Sequence, residues 1–173
     1  RGIEELAGQT ARLLNAQPIE STVYPQQIAF NALPAIGDLE ENGYTNEEMK
    51  MVWETQKIFE DDSILVNPTC VRIPVFYGHG EAIHVETKSP ITTEKALELL
   101  NNAPGVCVID QKDPMDFPTA VRDSGGKDPV FVGRVRQDIS TDRGLSMWIV
   151  SDNVRKGAAL NSVQIAELLK DYL

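Results

Sequence analysis

The residues able to do chemistry lie in two places along the chain. The first is the run Cys70-Val71-Arg72-Ile73-Pro74-Val75-Phe76-Tyr77-Gly78-His79-Gly80. An arginine amid apolar residues is costly to bury without a partner, so Arg72 is expected to face an open cleft or an anion. A carboxylate is the natural match, because a guanidinium meets it through two parallel hydrogen bonds. His79 lies between two glycines, which leave its ring unobstructed and the backbone approachable. With a reference pKa near ~6.5, a histidine so placed suits proton transfer at neutral pH. The plainer alternative is an Arg72 paired with an acidic neighbour and a His79 that merely occupies a turn.

The second place is the segment Asn46 to Glu60, where Glu47, Lys50, Glu54 and Lys57 recur at steps of three and four residues. Such spacing puts them on one face of a helix. That face is either a solvated strip of weak ion pairs or a carboxylate and an ammonium one turn apart, able to hold a zwitterion that carries an amine and a phosphate. Cys70 and Cys107 invite comparison with nucleophilic thiols, but each sits among β-branched or apolar neighbours and is expected to be structural. The pair does not form a disulfide framework, and with only His79 and His84 as histidines no metal centre is indicated.

These residues need elements to carry them. Thr45 followed three residues later by Glu48 is a capping box, and Met49, Val52, Trp53 and Phe59 supply an apolar stripe, so a helix is predicted over Asn46 to Glu60. A helical pattern opens the chain through Leu14, followed by a short strand at Thr22 to Tyr24. Cys70 to Tyr77 reads as a strand, Gly78-His79-Gly80 as a bend, and Glu81 to Lys88 as the strand's continuation. A helix is predicted over Thr93 to Asn102, a strand over Val106 to Asp110, and a hairpin from Val130 to Gln137 and Leu145 to Ser151. Gln111 to Pro129 is so dense in proline and glycine that a long surface loop without regular structure is expected. Val154 to Leu173 reads as a helix whose wide apolar arc calls for a second packing partner. Helices scattered among hairpin-joined strands imply an α+β fold with a mixed, largely antiparallel sheet backed by helices.

The 173 residues, 42% of them apolar, suffice for one sizeable core. The formal charge is −10, and nine acidic side chains fall between Gly37 and Asp62, a surface that repels phosphate backbones and argues against nucleic acid as a partner. No membrane-length apolar run is present, so a cytoplasmic protein is expected. No glycine-rich strand-to-helix fingerprint for a dinucleotide occurs.

Three stretches together resemble aspartate-semialdehyde dehydrogenase: Asn46-Glu47-Glu48-Met49-Lys50 with Glu54-Thr55-Gln56-Lys57-Ile58; Thr69 to Val75 leading to His79; and Ser151-Asp152-Asn153-Val154-Arg155-Lys156-Gly157-Ala158-Ala159 continuing to Glu167. Their order matches the family's second half. The resemblance implies a fold like the C-terminal domain of glyceraldehyde-3-phosphate dehydrogenase-type enzymes, with residues 1–153 for substrate binding and dimerisation. Residues 154–173 would form a helix packing on a nucleotide-binding domain absent from this chain. The family reduces L-aspartyl 4-phosphate with NADPH to aspartate semialdehyde, toward lysine, threonine and methionine. On this resemblance His79 is the acid-base residue, Arg72 grips the substrate carboxylate, Glu47 meets the substrate amine, Lys50 receives the phosphate, and Asn153 lies near the nicotinamide of NADP. The family's nucleophilic cysteine precedes these motifs, and neither Cys70 nor Cys107 replaces it. The chain begins inside a helical pattern without an initiator methionine and is expected to be truncated at its start; with the family's cysteine and nucleotide-binding domain missing, the resemblance implies a fragment inactive alone, from an enzyme that is a homodimer. Two alternatives are a dimerising relative that has lost catalysis and a sister reductase acting on N-acetyl-glutamyl phosphate.

Overall fold

The computed structural model describes residues 1–109, 113 and 115–172 and divides them into two compact units, Arg1–Phe76 and Tyr77–Leu173. In the first unit, helix α1 (Gly2–Leu14) lays Leu6 against Ile28, Ala29 and Leu33, with Leu13 and Tyr24 packed alongside. Gln9, 3% exposed, ties this small core together. Its side-chain oxygen accepts the Ile28 and Ala29 N–H groups at 2.9 and 3.2 Å, and its amide donates to the Glu20 carbonyl at 3.0 Å. Such pairing is what allows a polar side chain to be buried at all.

Residues 22–24 are bends, which corrects the expectation of a strand there. The reason is local: the Glu5 carboxylate accepts the Thr22, Val23 and Tyr24 N–H groups and the Thr22 hydroxyl, and so takes the donors a sheet partner would use. Helix α2 (Asn46–Phe59) starts at the predicted place, with both halves of the Thr45–Glu48 capping box formed, and ends at Glu60 in the left-handed region. The expected strand at Cys70–Tyr77 is corrected as well. Only Arg72 pairs there, in an isolated antiparallel bridge to Leu33 with N–H to carbonyl distances of 2.8 and 2.9 Å. The Glu48 carboxylate takes the Cys70 N–H, and among the described residues the bridge extends into no ladder, so the β-rich composition does not become a strand.

The second unit is built on a four-stranded sheet in the order β1-β4-β3-β2, formed by β1 (His79–Glu86), β2 (Val106–Ile109), β3 (Val130–Gln137) and β4 (Gly144–Ser151). The β3–β4 hairpin and the β1–β4 pair are antiparallel, while β2 runs parallel to β3, giving the mixed, largely antiparallel sheet expected. Helix α3 (Thr93–Asn102) keeps its predicted bounds, capped by the Thr92 hydroxyl, and Gly105 beyond it has φ +74°. The predicted strand end at Asp110 and the start of the loop at Gln111 lie outside the described residues.

The expectation of an irregular surface loop up to Pro129 is corrected at its centre. Ala120–Ser124 forms a π-helical turn, and Pro118, Asp123 and Ser124 are buried. The Trp148 indole donates to the Pro118 carbonyl at 2.9 Å, and Gly133 admits the proline: a Cβ there would fall 2.4 Å from Pro118 Cδ. The chain ends in a π-helical turn (Arg155–Ala159) running into helix α4 (Leu160–Leu169) and a 3-10 turn (Lys170–Tyr172). Val163, Ile165, Leu168 and Leu169 of α4 are exposed, consistent with the wide apolar arc in its sequence. Among the described residues no helix is long and apolar enough to cross a membrane.

Glu5 generates a pH prediction. Partial burial works against its charge, but the hydrogen bonds from Thr22, Val23 and Tyr24 outweigh this and lower its pKa from 4.5 to about 2. A depressed folded pKa stabilises fully above the unfolded value and is lost as pH falls from 4.5 toward 2. The gap in unfolding free energy between the native chain and Glu5→Gln is therefore expected to be widest near neutral pH and to close through that window. Urea titrations at stepped pH check it; a gap independent of pH would contradict the assignment.

Candidate active site

Within the first unit, helix α2 carries Glu47 and Lys50, and the carboxylate meets the ammonium at 2.8 Å with both side chains about half exposed. The Glu47 hydrogen bond, with its charge and that of Glu54, raises the Lys50 pKa, so the amine remains a cation across the neutral range. An exposed pair of this kind is worth little in itself, and either member can exchange its partner for a charged ligand group.

Arg72 is half-buried and fixed by its backbone bridge to Leu33. Among the described residues its guanidinium has no ion-pair or hydrogen-bond partner, so the acidic-neighbour alternative for Arg72 is not realised there. The segment leading to it is tied to α2 by Glu48. One Glu48 oxygen accepts the Thr45 N–H and the other the Cys70 N–H, both at 2.8 Å, and the side chain is buried. Those two backbone donors, Thr45 foremost, hold the Glu48 pKa below the usual carboxylate range despite burial. Sequence reasoning saw Glu48 only as a helix cap; the second bond spans 22 positions and leaves no local signature.

In the second unit, His79 opens β1 opposite Ser151 of β4, so the expected bend at Gly78-His79-Gly80 is corrected to a strand start. The glycines meet needs of packing. Gly78 has φ +82°, and a Cβ there would lie 2.7 Å from Ser124 Oγ, while one on Gly80 would lie 2.6 Å from the Trp148 ring. The imidazole of His79 is exposed and, among the described residues, unpartnered. His84 differs, with Asp138 at 3.2 Å on one ring nitrogen and Ser146 at 3.3 Å on the other.

Asn153 follows β4, and its side-chain oxygen accepts the Gly78 N–H at 3.2 Å, which turns its amide nitrogen away as a free-standing donor. The turn bearing it is organised by buried Asp152, whose carboxylate accepts the Gly126, Val154 and Arg155 N–H groups at 2.7 to 2.9 Å. The Gly126 and Arg155 amides are chiefly responsible for a lowered Asp152 pKa. Arg155 in turn pairs with Asp128. Thus Gly78, His79, Ser151 and Asn153 are brought together, as are Glu47 and Lys50. Cys107 is exposed on β2, Cys70 half-buried near Met51, and among the described residues no group of three His, Cys, Asp or Glu side chains could hold a metal ion.

The four-stranded mixed sheet with its flanking helices defines an α+β domain of the class found at the C-terminal end of glyceraldehyde-3-phosphate dehydrogenase-type enzymes. A family model described as the dimerisation domain of semialdehyde dehydrogenase matches residues 1–156. Aspartate-semialdehyde dehydrogenase 2 of Vibrio cholerae serotype O1 is 63% identical over 172 residues, 99% of this chain and 50% of that protein. The Aquifex aeolicus aspartate-semialdehyde dehydrogenase is 52% identical over 170 residues, 98% of this chain and 50% of its own. The crystal structure of the Vibrio cholerae aspartate semialdehyde dehydrogenase II complexed with ASA superposes with a TM-score of 0.95 at 62% identity, over 99% of this chain and 51% of that one. The Candida albicans enzyme with NADP gives 0.66 at 26% identity, over 98% and 55%. The chain belongs to the aspartate-semialdehyde dehydrogenase family, and it spans about half the length of the curated relatives it matches.

The packing around His79 yields a stability prediction. A β-carbon at position 78 meets both an unfavourable φ and the Ser124 hydroxyl, so Gly78→Ala is expected to cost about 2–3 kcal/mol. Chemical denaturation measures this; an unchanged midpoint and slope would show that the strand start is not held as described.

Proposed function

We propose that this chain is the substrate-binding and dimerising half of an NADP-dependent aspartate-semialdehyde dehydrogenase of the cytoplasm, which converts L-aspartyl 4-phosphate to L-aspartate 4-semialdehyde and phosphate. The observation that carries the reading is the half-buried Arg72 guanidinium, unpaired among the described residues on a segment anchored by Glu48. A cation so placed is set to receive a carboxylate through two hydrogen bonds. The substrate has one at its α-carbon. Glu47 takes the substrate ammonium and Lys50 the phosphate, so a zwitterionic ligand replaces their mutual pair with two new ones at little cost. Arg72 and His79 lie on one short stretch of chain, and His79, with an exposed ring, takes and returns protons at the reacting carbonyl and its leaving group.

Asn153 suits the nicotinamide of NADP: its oxygen is committed to Gly78, which leaves an exposed amide donor for the carboxamide. NADPH supplies the hydride when bound. Residues 1–153 on this reading bind substrate and form a homodimer, and residues 154–173 pack the exposed Val163, Ile165, Leu168 and Leu169 on a nucleotide-binding domain.

The test uses the complete enzyme that contains this chain. His79→Ala is expected to lower kcat by about 10²–10⁴-fold with KM for aspartate semialdehyde nearly unchanged. Arg72→Ala is expected to raise that KM instead. Unchanged turnover in His79→Ala, or an unchanged KM in Arg72→Ala, would overturn the assignment of that residue.

A further inference from the structure

Glu48 does more than cap a helix. It is 7% exposed, and each of its carboxylate oxygens is spent on a different backbone amide, one at the start of α2 and one at Cys70. The first amide belongs to the turn that presents Glu47 and Lys50, the second to the segment that presents Arg72. Downstream, the Arg72 backbone is gripped by Leu33 through both its N–H and its carbonyl. Arg72 is thus held from two sides, and the Glu48 link, with the Cys70–Met51 sulfur contact beside it, refers its position to helix α2.

We propose that Glu48 is a positioning residue that sets the separation between Arg72 and the Glu47–Lys50 pair, and through it the fit to a ligand with a carboxylate at one end and an ammonium and a phosphate at the other. This rests on the reading of Arg72 as the carboxylate receptor given above. A two-acceptor carboxylate is the one side chain of this length that can satisfy both amides. Glutamine offers one acceptor and turns an NH2 group against the second N–H, so one link must open. Asp keeps the charge but is a methylene too short to span both. Displacements near 1 Å in groups that orient a substrate can cost on the order of 10²-fold.

The experiment compares variants of the complete enzyme, assayed with aspartate semialdehyde, phosphate and NADP. Glu48→Gln and Glu48→Asp are expected to raise KM for aspartate semialdehyde by about tenfold or more. Thr45→Val, which removes the other half of the capping box but leaves the Cys70 link, is expected to lower thermal stability and leave that KM within about twofold. Because KM does not depend on the fraction of enzyme folded, partial unfolding of the Glu48 variants does not obscure the result. Arg72→Lys serves as the reference. A raised KM in Arg72→Lys with an unmoved KM in both Glu48 variants would overturn the positioning role while leaving the site reading intact. An unmoved KM in all three would overturn both.

Discussion

The first unit depends on one buried carboxylate with two amide donors. Glu48 cannot leave its place without exposing the N-terminal turn of α2 and the Cys70 amide together, so helix and Arg72 segment are formed as one object. A charge in such a site is tolerated because each oxygen is hydrogen-bonded, which also keeps it ionised. The surrounding core is small, built from Leu6, Ile28, Ala29 and Leu33, and hydrophobic burial there is supplemented by polar ties through Gln9 and Glu5. Directional bonds of this kind define position more sharply than apolar contact does.

The second unit solves the equivalent problem with Asp152. Three amides converge on its carboxylate, fixing the turn between β4 and the C-terminal helix, and Asn153 in that turn reaches back to the Gly78 N–H beside His79. Trp148 fills the space above Gly80 and holds Pro118, so the segment around the π-helical turn closes over the same end of the sheet. In each unit a residue assigned to chemistry keeps its side chain open, half-exposed Glu47 and exposed Asn153, and next to it in sequence stands a buried acid that places it: Glu48 beside Glu47, Asp152 beside Asn153.

That pairing also explains what could be read without coordinates. The α2 start was legible because a capping box is a local bond between neighbours, and α3 and the β3–β4 hairpin because their periods and boundary residues are local too. Arg72 and His79 stood out as polar groups in apolar or glycine-flanked settings. What escaped were bonds across long sequence distances. The Glu48 link to Cys70, the Glu5 claim on three amides and the Pro118–Trp148 contact each overrode a local propensity, turning two expected strands into bends or an isolated bridge and an expected loop into a buried turn. The family motifs pointed to the residues proposed to act and contained the acids beside them, Glu48 and Asp152, without giving those acids a role.

Arg72 is proposed to be a carboxylate receptor held ready by the fold. The most direct measurement is a crystal structure of the complete enzyme with aspartate semialdehyde bound. The ligand carboxylate is expected on the Arg72 guanidinium at about 2.7–2.9 Å, with Glu48 still bonded to Thr45 and Cys70. A ligand carboxylate bound elsewhere, with Arg72 paired to an acidic side chain of the protein, would contradict it.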